Sequence, residues 1–160
     1  TSIALRKCVA LHPGSGSASK NWSFDLWAEV LSEIHIKLDV DFLITSGEAE
    51  RSNIEKFLTL LGKNNIPFTH LQGLELSELG AVFNNVDFYL GHDSGVSHLA
   101  ASAGADGLLL FGPTNPAVWA PVSSKMKRLV SKSQIISDLN AQDVLEALTF
   151  WSSSHPNRRK

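Results

Sequence analysis

Apolar residues along the chain fall into two alternating patterns. Short, nearly continuous runs of strand-forming residues sit at Cys8–Leu11, Asp41–Thr45, Phe68–Leu71, Asp87–Leu90, Leu108–Phe111 and Arg128–Val130. Between them, apolar residues step by three or four. Phe24, Trp27, Val30, Leu31 and Ile34 share one helix face; Ile54, Phe57, Leu58 and Leu61 share a second; Leu76, Leu79, Val82 and Phe83, with Ser77 near the start, form a third. The spacing predicts a fourth helix from about Gly95 to Ala103, closed at Gly104, where glycine takes a left-handed C-cap at little cost. It predicts a last helix from Ala141 to about Trp151, with Asn140 as N-cap, Asp143 three residues on, and Leu145 and Leu148 facing inward. Strands that alternate with helices of this length need crossover connections, which means a three-layer α/β fold on a parallel sheet. No linker rich in Pro, Gly or Ser and no repeat interrupts the alternation. Residues 1–152 therefore read as one domain and residues 153–160 as a frayed tail.

Composition supports a soluble domain and removes several function classes. With 160 residues, 43% hydrophobic and 19% charged, a chain of this size buries about 70% of the surface its unfolded form exposes. The longest apolar stretches, such as Leu108–Phe111, fall far short of the ~18 residues a membrane-spanning helix needs. Cys8 is the single cysteine and cannot form an internal disulfide, and no leader of the secretory type opens the chain, so a reducing, cytoplasmic compartment is expected. The chain carries 14 Lys and Arg against 16 Asp and Glu. Three of those cations are Arg158, Arg159 and Lys160, a run short enough to be simply solvated; without them the count is 11 against 16. No basic field invites nucleic acid, and an anionic ligand must be held locally, by backbone amides and one or two lysines. A start at Thr1 with the sole methionine at Met126 points to a piece of something longer.

In an open parallel sheet, ligands bind outside the carboxyl ends of the strands, so the chemistry is sought in the loops that follow them. The first runs from His12 through Pro13, Gly14, Ser15, Gly16, Ser17, Ala18 and Ser19 to Lys20, Asn21 and Trp22. Its glycines allow close backbone approach, its serines add hydroxyl donors and Lys20 supplies a point charge, a combination that suits a phosphate. Ser19 stands where a dinucleotide fingerprint needs glycine, and no Gly-Lys-Ser/Thr of a Walker loop follows. A flexible turn whose polar residues cap a helix is the other reading.

The loop after the fourth strand is Gly91, His92, Asp93, Ser94, Gly95, Val96, Ser97, His98. A helix starting near Gly95 leaves the amides around Ser94 to Val96 unsatisfied, a ready anion site, with Ser94 and His98 on one face. A nucleophile elbow needs G-x-S-x-G, which is not the spacing here. A His92, Asp93, His98 metal site lacks a fourth ligand and a helical histidine pair, so no metal is expected. The bland alternative makes Asp93 or Ser94 an N-cap and His98 a satisfied helix histidine.

The loop after the fifth strand, Phe111 to Pro121, contains two prolines at Pro113 and Pro116 and the large ring of Trp119. It reads best as a rigid turn with Trp119 tucked into the domain, while Thr114 and Asn115 face the ligand. After the second strand come Ser46, Gly47, Glu48, Ala49 and Glu50; a carboxylate here grips ribose hydroxyls in many nucleotide-binding sheets, or merely complements a helix dipole.

Taken together, His-Pro-Gly-Ser-Gly with Lys20-Asn21-Trp22, Asp93-Ser94-Gly95 with His98-Leu99-Ala100-Ala101, and Leu110-Phe111-Gly112-Pro113-Thr114-Asn115-Pro116 with Trp119 resemble glycosyltransferase family 9. These are the ADP-heptose:lipopolysaccharide heptosyltransferases and their relatives. The match runs in order from the first strand to about Pro121. It implies a GT-B fold, two Rossmann-like domains facing across a cleft, of which this chain is the C-terminal, donor-binding one. It implies metal-independent, inverting transfer of a heptose-like sugar from an ADP-sugar to a lipopolysaccharide-core or related lipid-linked acceptor, with the donor as substrate and no cofactor. By position, Ser15, Gly16, Ser17 and Lys20 would meet the diphosphate, Ser94 and Gly95 a phosphate through backbone amides, Asp93 the sugar, and His98 the same pocket. Glu50 would hold the ribose, with Glu48 as the alternative, and Leu74 would flank the adenine. Lys20 and His98 would stabilise the leaving group. The general base and most of the acceptor site would belong to an N-terminal domain of the parent chain, so these residues alone are expected to be inactive. In the parent, a cytoplasmic enzyme peripheral at the inner membrane face is implied. Ser23 replaces a proline common in the family, and Asp106-Gly107 replaces its usual entry to the fifth strand. The rival class is a non-catalytic nucleotide-binding α/β regulatory module, flavodoxin-like in outline; a sugar hydrolase would need a carboxylate partner for Asp93 that the sequence does not present.

Overall fold

The computed structural model describes residues 6–154. Six strands alternate with helices: β1 Lys7–Leu11, α1 Phe24–Lys37, β2 Val40–Ser46, α2 Ile54–Lys63, β3 Phe68–Gln72, α3 Leu76–Asn85, β4 Phe88–His92, α4 Gly95–Ser102, β5 Gly107–Phe111, α5 Pro116–Trp119, β6 Met126–Val130 and α6 Ala141–Ser154. All pairings are parallel, in the order β3-β2-β1-β4-β5-β6. This is the expected Rossmann-like α/β sheet. Its order reverses between β1 and β4, where Val9 stands opposite Phe88 and Leu11 opposite Leu90. Loops leaving those two strands diverge to opposite faces and open a crevice between them.

Side-chain alternation along the interior strands sorts the core into two layers. Val9, Leu11, Phe42, Ile44, Phe88, Leu90, Leu108 and Leu110 pack with α1, α2 and α6, whereas Ala10, Tyr89, Leu109 and Phe111 pack with α3 and α4. Strands β4 and β5 are buried along their whole length, as parallel strands covered on both faces must be. The helix ends explain themselves locally. Ser23 Oγ accepts the Leu26 amide at 3.2 Å and so caps α1. Asn140 and Asp143 cap each other's backbone at the start of α6, and Gly104, at φ 84°, closes α4 in the left-handed region.

Helix α3 is capped reciprocally by Glu75 and Glu78. Two expectations need correction. Helix α6 runs past Trp151 to Ser154, because Trp151 is 2% exposed and lies 4.7 Å from the Phe88 ring, so the last turn is tied to the sheet. Ser153, expected in the tail, is therefore helical, and the rest of that tail from 155 to 160, including Arg158, Arg159 and Lys160, lies outside the described residues. Trp119 is 58% exposed rather than tucked in: α5 is a single turn, and neither core layer reaches its outer face. No helix among the described residues is long and apolar enough to cross a membrane.

Candidate functional site

The sequence-selected residues gather at the carboxyl ends of adjacent strands. Ser15, Gly16, Ser17 and Lys20 follow β1, Glu50 follows β2, Leu74 follows β3, and Asp93, Ser94, Gly95 and His98 follow β4 or open α4. Across the β1/β4 reversal, Lys20 Nζ stands 3.4 Å from Asp93 Oδ2, with the lysine a quarter exposed and the aspartate nearly buried. That contact joins the two loops that the sequence nominated separately.

The β1 loop is folded on itself. Ser15 is buried, with Oγ 2.9 Å from the Ser17 carbonyl oxygen and 2.6 Å from Asn21 Oδ1, and it accepts the Ser17 amide at 3.3 Å. Lys20 ends a short 3-10 turn, Ala18–Lys20, which aims its side chain back over the sheet edge toward Asp93. Trp22 anchors the loop beneath. Its backbone N–H donates to His92 Nε2 at 2.9 Å, its indole N–H donates to the Leu139 carbonyl at 2.9 Å, and its ring meets Trp27 edge to face at 4.9 Å. Gly16 is exposed, and a Cβ there would meet nothing within 4 Å; the same holds for Gly95 at the first turn of α4. Backbone at both positions is thus open to close approach from outside.

The β4 loop rests on a buried polar floor. Ser94 caps α4, its Oγ accepting the Ser97 amide at 3.3 Å, so the capping alternative for Ser94 is realised. Amides of the first turn remain without intrahelical partners, as at any helix start. Ser97 Oγ donates to the His92 carbonyl and lies 3.1 Å from the Tyr89 hydroxyl, whose ionisation burial pushes up strongly. His98 is exposed and its Nε2 pairs with the Trp119 carbonyl at 2.9 Å, which ties α4 to α5. Asn115 is occupied as the cap of α5, accepting the Ala117 amide at 3.0 Å, whereas the buried Thr114 hydroxyl has no hydrogen-bond partner.

His92 is fully enclosed. Burial pushes its pKa down to about 3, the backbone of Gly14 offsetting only part of that cost. Its Nε2 accepts the Trp22 amide, so the neutral ring carries its proton on Nδ1, and it serves as an internal strut between the two loops. Among the described residues, no group of three or more His, Cys, Asp and Glu is arranged to hold a metal.

The two carboxylates after β2 separate cleanly. Glu48 is exposed and Glu50 is buried. Glu50 Oε2 accepts the Gly47 amide at 2.8 Å and lies 3.6 Å from His12 Nε2, while Oε1 sits over Gly14. Burial alone would raise the pKa of Glu50; the His12 ring and the Gly47 amide outweigh it and hold the carboxyl below its ordinary value. Leu74 is half-buried against the α3/α4 layer, one residue after Gly73, whose amide donates to the Ser46 carbonyl and brings the β3 loop beside the β2 loop. Residue-type reasoning gave His12 and Trp22 a place in the motif but no role, and gave Thr45 only its place at the end of β2.

Comparison with known proteins bears on the family and the fold. The family profile "Glycosyltransferase family 9 (heptosyltransferase)" matches residues 2–149. The lipopolysaccharide core heptosyltransferase OpsX of Haemophilus influenzae is 30% identical over 121 residues, 74% of this chain and 34% of that protein. Among solved structures, Escherichia coli ADP-heptose lps heptosyltransferase II superposes with a TM-score of 0.81 at 21% identity, covering 94% of this chain and 47% of that one. The E. coli heptosyltransferase WaaC with ADP gives 0.75 at 19%, covering 92% and 45%. At those identities the structural likenesses establish the fold. The chain spans about a third of the length of the curated relatives it matches.

Proposed function

Since the chain belongs to glycosyltransferase family 9, we propose that it is the nucleotide-sugar-binding half of a heptosyltransferase that moves a heptose-like sugar from an ADP-sugar to a lipopolysaccharide-core or related lipid-linked acceptor. The observation that carries this reading is the meeting of the β1 and β4 loops at the sheet reversal, where Lys20 and Asp93 stand 3.4 Å apart beside the open backbone of Gly16 and Gly95. A diphosphate placed there gains the Lys20 charge and backbone amides from both loops. As the sugar–phosphate bond stretches, charge builds on the leaving diphosphate, and donors already in place stabilise that state more than the ground state. Lys20 and His98 serve the leaving group, Asp93 faces the sugar, Glu50 the ribose and Leu74 the adenine.

In this proposal the reaction inverts the sugar and needs no metal, the cation work being done by Lys20 and the amides. ADP-sugar is the donor substrate, and no cofactor takes part. The general base and most of the acceptor site lie in a preceding domain of the parent protein, in keeping with the third of its relatives' length that this chain spans. The enzyme works on the cytoplasmic side of the membrane, peripheral to it. The reading is tested by thermal midpoints of the 160-residue chain with ADP, an ADP-sugar, UDP-glucose and flavin mononucleotide, in EDTA. Stabilisation by the two adenine diphosphates, with no sugar transfer in an assay for ADP release, is the expected result. A response to flavin alone would instead mark a flavodoxin-like module.

A further inference from the structure

Buried beneath the β1 loop is a chain of polar groups in which Glu50 alone has been given a role. The His12 amide donates to the Leu90 carbonyl of β4 at 3.0 Å, its Nδ1 lies 3.0 Å from Thr45 Oγ1 of β2, and its Nε2 faces Glu50 Oε2 at 3.6 Å. His12 thus touches both neighbours of its own strand and the carboxylate beyond them, with a ring that is 5% exposed.

The proton inventory gives the ring a direction. Either the Thr45 hydroxyl donates to Nδ1, or it donates to the Leu11 carbonyl, 3.4 Å away, and accepts from Nδ1. In the first arrangement the neutral ring carries its proton on Nε2; in the second, an Nε2 without a proton would aim a lone pair at a carboxylate. The first arrangement, which places an N–H at Nε2 toward Glu50, is the one that avoids this repulsion. The Gly47 amide and the His12 ring together seat Oε2, while Oε1 lies over Gly14 at the root of the β1 loop. Glu50 is buried, and a carboxylate seated through Oε2 holds Oε1 in a fixed place at the base of the β1 loop, preorganised to accept a hydrogen bond.

We propose that His12 is a positioning residue that sets Glu50 to accept the ribose hydroxyls of the bound nucleotide, with Thr45 fixing the ring. This rests on the donor-binding reading above. The experiment is calorimetric titration of the chain with ADP and with 2′,3′-dideoxy-ADP, for wild type, His12→Leu, His12→Gln and Thr45→Val. Wild type is expected to prefer ADP by about tenfold, as for loss of a hydrogen bond to a charged group. His12→Leu is expected to erase that preference by weakening ADP alone, Thr45→Val to reduce it, and His12→Gln, which keeps an N–H toward Glu50, to retain most of it. If His12→Leu and Thr45→Val weaken both nucleotides equally, or wild type binds both alike, the positioning role is overturned while the donor site stands. If wild type binds neither, the donor reading itself fails. Should His12→Leu not fold, the isosteric Thr45→Val decides by the same comparison.

Discussion

Lys20 and Asp93, 73 residues apart in the chain, stand 3.4 Å from one another across the line where the sheet reverses. The contact is long for an ion pair and the lysine keeps a quarter of its side chain in solvent, so its worth to folding is small. Lys20→Ala is expected to cost about 1 kcal/mol or less of unfolding free energy by urea denaturation. A much larger loss would make Lys20 a structural residue rather than a ligand contact.

Gly14 and Gly16, two residues apart, are expected to respond oppositely to alanine. A Cβ at Gly14 would fall 2.2 Å from Glu50 Oε1 and 2.4 Å from its Cγ. The carboxylate must then leave its seat, so Gly14→Ala should lose about 1–3 kcal/mol. Gly16→Ala meets nothing within 4 Å and should leave stability within about 0.5 kcal/mol while weakening nucleotide binding. Denaturation and ADP titration of the two variants separate the cases.

His92 makes stability depend on pH in a defined window. Folded, its pKa is pushed down to about 3, whereas the unfolded chain takes up the proton near pH ~6.5. Its contribution is complete above that value and is lost progressively as pH falls toward 3, amounting to about 2 kcal/mol by pH 5. His92→Gln removes the titrating group and keeps an acceptor for the Trp22 amide. The gap between wild type and this variant should therefore narrow by that amount between pH 7 and pH 5; a gap independent of pH would contradict the buried neutral ring.

Trp119→Ala is expected to leave stability nearly unchanged, because the ring is 58% exposed, whereas Trp22→Ala should cost about 3–5 kcal/mol. Equal costs for the two tryptophans would mean that Trp119 packs inside after all.

How much of this was legible in the sequence follows from which interactions are local. Strand β5 is a continuous apolar run and β4 opens with one, Phe88 to Leu90, because both their faces are covered, and the helix stripes follow from one buried face each, so the parallel α/β architecture could be read directly. The loops could be nominated because parallel sheets bind at strand ends. What spacing alone could not supply is strand order. Only when β1 lies between β2 and β4 do His12 and Thr45 meet, does Trp22 reach His92, and does Glu50 rather than Glu48 turn inward. Trp119 misled for a related reason: its apolar character predicts burial, but a one-turn helix beyond the sheet edge has no layer to pack against.

The most direct test of the central claim is titration calorimetry of ADP into this chain and into Lys20→Ala, in EDTA. The account predicts one ADP per chain for wild type, with affinity at least about tenfold weaker in the variant, as expected for loss of a charge-assisted contact to phosphate. No binding of ADP by the wild-type chain, or equal affinity for both proteins, would contradict it.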